Sequence, residues 1–129
     1  MRILIDTHVA IWFWNTDARM TPRLLQALTD PENEIIFSQV STWEIALKYE
    51  KGRIRLPSAP ETFIPDAVTK SGFHYQPIQD RWIYFSGKLP AIHKDPFDRL
   101  LVAHALIEGH TLATDDTLLL QYPVPLLTP

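Results

Sequence analysis

Four acidic residues far apart in the chain occupy one kind of position. Asp6 closes the run RILI, Glu44 opens the helical pattern after EIIFS, Asp98 opens the helical pattern before TLAT, and Asp116 follows TLAT. In an open α/β sheet such junctions lie at, or lean over, the carboxyl ends of the strands, where ligands bind. The four carboxylates can therefore converge. Two carboxylates about 5 Å apart repel by roughly 3 kcal/mol at an effective dielectric near 20, whereas a helix cap contributes only about 1 kcal/mol. Acids that meet must be neutralised by a shared proton, by a cation such as Lys94 or Arg99, or by a divalent metal ion.

The donor types narrow the metal. Cysteine is absent, and His8, His74, His93, His104 and His110 show no H-x-x-x-H spacing, so oxygen ligands favour Mg²⁺ or Mn²⁺ over zinc. A carboxylate-held Mg²⁺ polarises a phosphoryl oxygen, lowers the pKa of a bound water and, when paired, clamps an in-line displacement. Phosphodiester hydrolysis uses all three. Thr7 and Thr114 carry hydroxyls beside these acids and either orient a carboxylate or water or are ordinary strand-end threonines.

Each acid also has a structural explanation. STWE reads as a capping box with Ser41 as N-cap and Glu44 folding back. Asp95 suits an N-cap with Pro96 at the first helical position, and Asp98 then lies in the first turn, where negative charge favours the helix dipole. Asp6 and Asp116 suit caps of the turns after them, and Asp115 suits a solvated neighbour.

The elements that must position these residues alternate along the chain. RILI (Arg2 to Ile5), Glu34 to Ser38, Phe73 to Ile78, Thr111 to Thr114 and Val124 to Leu127 have strand character. Helical patterns run over Pro22 to Thr29, Ser41 to Lys51, Ala59 to Ser71, Gln79 to Lys88 and Pro96 to Glu108, with Gly109 as a stop. The alternation predicts an α/β sandwich with a mainly parallel sheet covered on both faces. At 129 residues and 46% hydrophobic content, the chain is expected to form one domain over 1–129.

Formal charge is −3, with Lys+Arg 12 against Asp+Glu 15, so any polyanion contact must come from a local patch or a metal. KYEKGRIR supplies such a patch in Lys48, Lys51, Arg53 and Arg55, although a solvated helix end is the commoner origin of such a run. Trp12, Phe13, Trp14, Trp43 and Trp82 either stack on bases or fill a core or interface, and packing is the expectation for Trp43. Asp6 and His8 interrupt the apolar start, which fits neither a signal peptide nor a membrane span, and the missing cysteines fit a reducing compartment. A cytoplasmic location without membrane association is expected.

The segments LIDTHVAIW (Leu4 to Trp12), SQVSTWEIALKYEKGRIRLP (Ser38 to Pro57), LPAIHKDPFDRLLVAHA (Leu89 to Ala105) and TLATDD (Thr111 to Asp116), in this order, resemble the PIN-domain ribonucleases, specifically VapC-type toxins of toxin–antitoxin pairs. The resemblance implies a PIN-like three-layer sandwich with a central sheet of four to five strands. It further implies an acidic site that binds Mg²⁺ or Mn²⁺ and cuts single-stranded RNA, leaving 5′-phosphate and 3′-hydroxyl ends. The matching positions are Asp6, Glu44, Asp98 and Asp116. Asp6, Asp98 and Asp116 would hold metal and Glu44 would orient or deprotonate water, while Thr7, Thr114, Asp95, Asp115 and Arg99 would support them. T-x-D spacing selects Asp116, although the adjacent Asp115 leaves a second choice for the fourth acid. Many relatives read Ala-Gln-Ala where this chain has Ala103-His104-Ala105. By the same resemblance a small antitoxin is the cognate partner and a homodimer the expected assembly. Two other readings stay open: a metal-free protein-interaction module, and a DNA nuclease or phosphatase with the same metal chemistry.

Overall fold

A computed structural model describes residues 1–129. The strands are β1 (Arg2–Ile5), β2 (Glu34–Ser38), β3 (His74–Gln76), β4 (Thr111–Ala113) and β5 (Leu126–Leu127). The helices are α1 (Thr7–Asn15), α2 (Pro22–Thr29), α3 (Gln39–Glu50), α4 (Pro60–Ser71), α5 (Asp80–Lys88) and α6 (Pro96–Glu108), and a 3-10 turn follows β4 at Thr117–Gln121. The sheet order is β3-β2-β1-β4-β5 and every pairing is parallel. The chain steps outward from β1 through β2 to β3, then returns to β4 beside β1. The β1/β4 boundary is therefore the switch point at which such sheets bind ligands.

Strand side chains alternate between faces, and the core divides accordingly. Ile3, Ile5, Ile35 and Phe37 pack with Val9 and Trp12 of α1, Leu24 and Leu28 of α2, and Ile64 and Val68 of α4. On the opposite face Leu4, Ile36 and Leu112 pack with Trp82 of α5 and with Leu100 to Ala103 and Ala105 of α6. Helix α3 contributes Ile45 to the first cluster and Val40 to the second. These are the three layers anticipated. No helix is long and apolar enough to cross a membrane.

Several boundaries depart from the sequence expectation. Helix α1 falls where the sequence pattern predicts none, because its β-branched and aromatic residues carry little helical signal of their own; it begins at the Asp6 cap and buries Val9, Ala10 and Trp12 in the core. The capping box does not form. Ser38 caps α3, its hydroxyl accepting from the Val40 amide, so Glu44 lies well inside the helix. Ser41 is buried and its oxygen instead accepts from the Thr7 hydroxyl at 2.9 Å. Strands β3 and β5 are shorter than expected. Trp43 is half exposed, edge-on to Phe97 at 4.8 Å, while Trp14 is packed among Phe37, Phe63 and Phe73.

His104 takes part in packing away from the acidic residues. It is wholly buried, stacks on Trp82 at 3.7 Å, and its Nε2 donates to Gln76 Oε1, leaving Nδ1 unpartnered. Burial, with His110 nearby, pushes its pKa down to about 3. The folded state therefore prefers the neutral ring, and stability from this residue declines as pH falls below 6.5, by about 1.4 kcal/mol per unit until the folded pKa is reached. His104→Gln keeps an amide donor for Gln76 and removes the titration. Between pH 7 and pH 5 the native chain should lose about 2 kcal/mol more stability than this variant, as measured by urea unfolding. An identical loss in both would exclude His104 as the source.

A candidate acidic metal centre

The acids meet where β1 and β4 end. Asp6 leaves β1 and caps α1, one carboxylate oxygen accepting from the Val9 amide at 2.9 Å. Asp116 leaves β4 and caps the 3-10 turn, its Oδ1 accepting from Leu118 at 3.0 Å. Thr114 lies between them: its hydroxyl oxygen accepts from the Asp116 amide, while its side chain hydrogen-bonds Asp6. Capping and convergence are thus compatible, because a cap uses one oxygen of each carboxylate.

Glu44 reaches the same region from α3. It is 2% exposed; Oε2 pairs with Lys48 one turn on, and Oε1 is buried with no partner. Asp98 comes from the first turn of α6, whose N-cap is Asp95, with Oδ1 accepting from Phe97 at 2.8 Å and Asp98 at 3.4 Å.

The electrostatics show the crowding. Burial pushes the Asp6 carboxyl up to about 6, against the pull of Thr114 and Val9, with Asp115 and Glu44 adding repulsion. Burial pushes Asp98 up to about 7; Asp95, Glu44 and Asp6 add to the shift and His93 opposes it. An acid whose charge is disfavoured by burial and by like neighbours is poised to exchange its proton for a cation. Together with the buried, unpartnered Glu44 Oε1, this oxygen-rich set fits a divalent metal ion. One side-chain atom each from His93, Asp98 and Asp116 lies within 4.8 Å of the other two.

A cleft of about 440 Å³ opens here, lined by Asp6, His8, Trp12, Arg19, Asp98, Asp115, Asp116 and Thr117. Asp115 is exposed on its wall, whereas Asp116 lies in the cluster with Asp98. His8, Trp12 and Arg19 also line a neighbouring groove with Lys48, Arg53 and Arg55, so an acidic and a basic depression adjoin. Lys51 is exposed and lies outside that lining.

Arg99 does not face the acids. Its guanidinium donates to the carbonyls of Ser86, Leu89, Pro90 and His93, strapping the segment between α5 and α6. Lys94 is exposed, and the acid that has a lysine is Glu44. Trp12 is expected from the sequence only to stack on bases or to fill a core or interface, and neither His93 nor Arg19 has an expected role at this site. For His93 a signal existed, its place two residues before the Asp95 cap; for Arg19 there was none.

A parallel sheet with an acidic cleft at its switch point defines an α/β protein with a candidate metal site at the carboxyl ends of its strands. The PIN domain model matches residues 3–124, and the chain belongs to the PIN-domain family. In structure it is similar to a chain of VapBC2 from Rickettsia felis, solved bound to a promoter DNA fragment (TM-score 0.73, 16% identity, 99% of this chain and 98% of that one). It is also similar to chains of DNA-bound VapBC from Salmonella typhimurium (TM-score 0.66, 15% identity, 99% and 98%) and of a toxin–antitoxin complex from Klebsiella pneumoniae (TM-score 0.65, 20% identity, 98% and 97%). No curated protein matches the chain in sequence.

Proposed function

We propose that the protein is a metal-dependent endoribonuclease, the toxin of a toxin–antitoxin pair. The observation that carries this reading is the acidic cleft at the β1/β4 switch point with a basic groove adjoining it. In this reading Asp6, Asp98 and Asp116 hold Mg²⁺ or Mn²⁺, which when bound polarises the phosphoryl oxygen and acidifies water. Glu44 offers its unpartnered Oε1 to orient or deprotonate the attacking water, and Lys48 holds the other oxygen in place. Thr114 ties Asp6 to Asp116, and Thr7 steadies the start of α1 against Ser41 of α3.

Arg53 and Arg55 give the substrate backbone a cationic track into the cleft, beside Arg19, whose guanidinium is held by both carboxylate oxygens of Asp17. Trp12 is almost wholly buried with Arg19 over its ring at 5.0 Å, so it serves as the floor of that track and not as a stacking platform. The antitoxin partner draws on the similar assemblies, and the homodimer on the family resemblance.

Incubating the protein with matched single-stranded RNA and DNA oligonucleotides, and with a phosphomonoester, tests the reading. RNA should be cut in Mn²⁺ and spared in EDTA, with DNA and the monoester at least about tenfold slower. Equal cutting of DNA would reassign the substrate, and no cutting of any polymer would remove the nuclease assignment.

A further inference from the structure

We propose that His93 is a positioning residue that serves the acidic centre as a hydrogen-bond donor to Asp116, not as a ligand of the metal. The inference rests on the proposed function for its consequence and on the geometry of the ring for its content.

The three donor atoms of His93, Asp98 and Asp116 lie close enough together to be mistaken for a ligand set. The ring's other nitrogen argues otherwise. His93 Nδ1 accepts the Asp95 backbone N–H at 3.0 Å, so it carries no proton. The N–H of the ring is then on Nε2, 2.7 Å from Asp116 Oδ2 and 3.2 Å from Asp98 Oδ2. A protonated ring nitrogen has no lone pair to give a cation. Ligation would require moving the proton to Nδ1, which breaks the bond to Asp95, the residue that caps α6.

The backbone around the ring is fixed as firmly. The His93 amide donates to the Tyr122 hydroxyl at 3.0 Å, and that hydroxyl donates to the Pro90 carbonyl at 2.9 Å. Arg99 donates to the His93 carbonyl at 3.2 Å. Arg99, Tyr122 and Asp95 thus hold one imidazole in one tautomer against one carboxylate. The arrangement also distinguishes the paired acids of TLATDD: Asp116 has both oxygens bound, one by Leu118 and one by His93, whereas Asp115 is exposed. A fixed donor behind a metal-binding carboxylate orients it, and losing such a partner costs 10–100-fold in metal affinity.

Two measurements separate this from failure of the nuclease reading. In metal-free protein, ¹⁵N-detected long-range correlation of the His93 ring should show the proton on Nε2; a proton on Nδ1 overturns the proposal whatever the enzyme does. In Mn²⁺-loaded protein, pulsed electron paramagnetic resonance should show no directly coordinated imidazole nitrogen. Titration calorimetry should find Mn²⁺ affinity about 10–100-fold weaker in His93→Ala, and within about threefold of native in His93→Gln, which keeps an N–H donor. A nitrogen coupling that His93→Gln abolishes would make His93 a ligand, and unchanged affinity in His93→Ala would remove its role. Absence of Mn²⁺ binding in the native chain would overturn the nuclease reading and the metal consequence, while the tautomer result would still decide how the ring is held.

Discussion

Asp98→Asn should give a folded protein that is more stable than the native chain at neutral pH without metal, and that has lost at least about a thousandfold in RNA cleavage. The activity loss follows from removing a carboxylate proposed to hold the metal; a factor of a thousand is about 4 kcal/mol of transition-state stabilisation. The stability gain follows from the raised pKa. An Asp with a folded pKa of about 7 binds more protons folded than unfolded, so the folded state is penalised progressively as pH rises from about 4 and fully above 7. The whole shift would correspond to about 4 kcal/mol, and with Asp98 one-fifth exposed, solvent screening reduces this to about 2 kcal/mol. Asn carries no such penalty. Urea unfolding in EDTA at pH 7.5 and pH 4 checks the sign: the variant should be more stable at the first and equal at the second. Asp6→Asn should behave alike with a smaller gain, since its pKa rises only to about 6 and Asn preserves the cap on Val9. Retained activity in either variant would exclude that residue from the chemistry.

The parts of this molecule that were legible in its sequence are those set by local chemistry. Helices α2 and α6 begin where a Thr or Asp precedes a proline, and α6 stops at a glycine with φ of 71°. Those are the residues such termini require, and both helices have the expected bounds. Strands β1 and β2 were legible because their apolar runs are buried on both faces. Illegible features depended on competition between equivalent groups. Ser38 and Ser41 are both sound N-caps, and the tertiary bond from Thr7 to Ser41 accompanies the choice of Ser38. Arg99 had acids and carbonyls within reach along the chain, and the carbonyls of the Ser86 to His93 segment took it. The role inferred for His93 depends on which ring nitrogen carries a proton, a property of the folded loop that residue spacing does not encode.

Mn²⁺ should stabilise the native chain far more at pH 7.5 than at pH 5.5, and its binding should release protons. A cation binds ionised carboxylates, so it must displace the protons that Asp98 and Asp6 retain with pKa values of about 7 and 6. Over those two pH units the ionised fraction of Asp98 rises about 25-fold and that of Asp6 about fourfold. Apparent affinity should therefore rise about a hundredfold, or nearly 3 kcal/mol of added stabilisation at saturating metal. At pH 6.5 about one proton should leave for each cation bound, and titration calorimetry in two buffers of different ionisation enthalpy counts it directly. Asp98→Asn removes the larger share of both effects, so its residual binding should be weak and nearly independent of pH above 7. A native chain that bound Mn²⁺ equally at both pH values, releasing nothing, would mean that the cation sits away from Asp6 and Asp98. The crowding of the two acids would then have an origin other than metal binding.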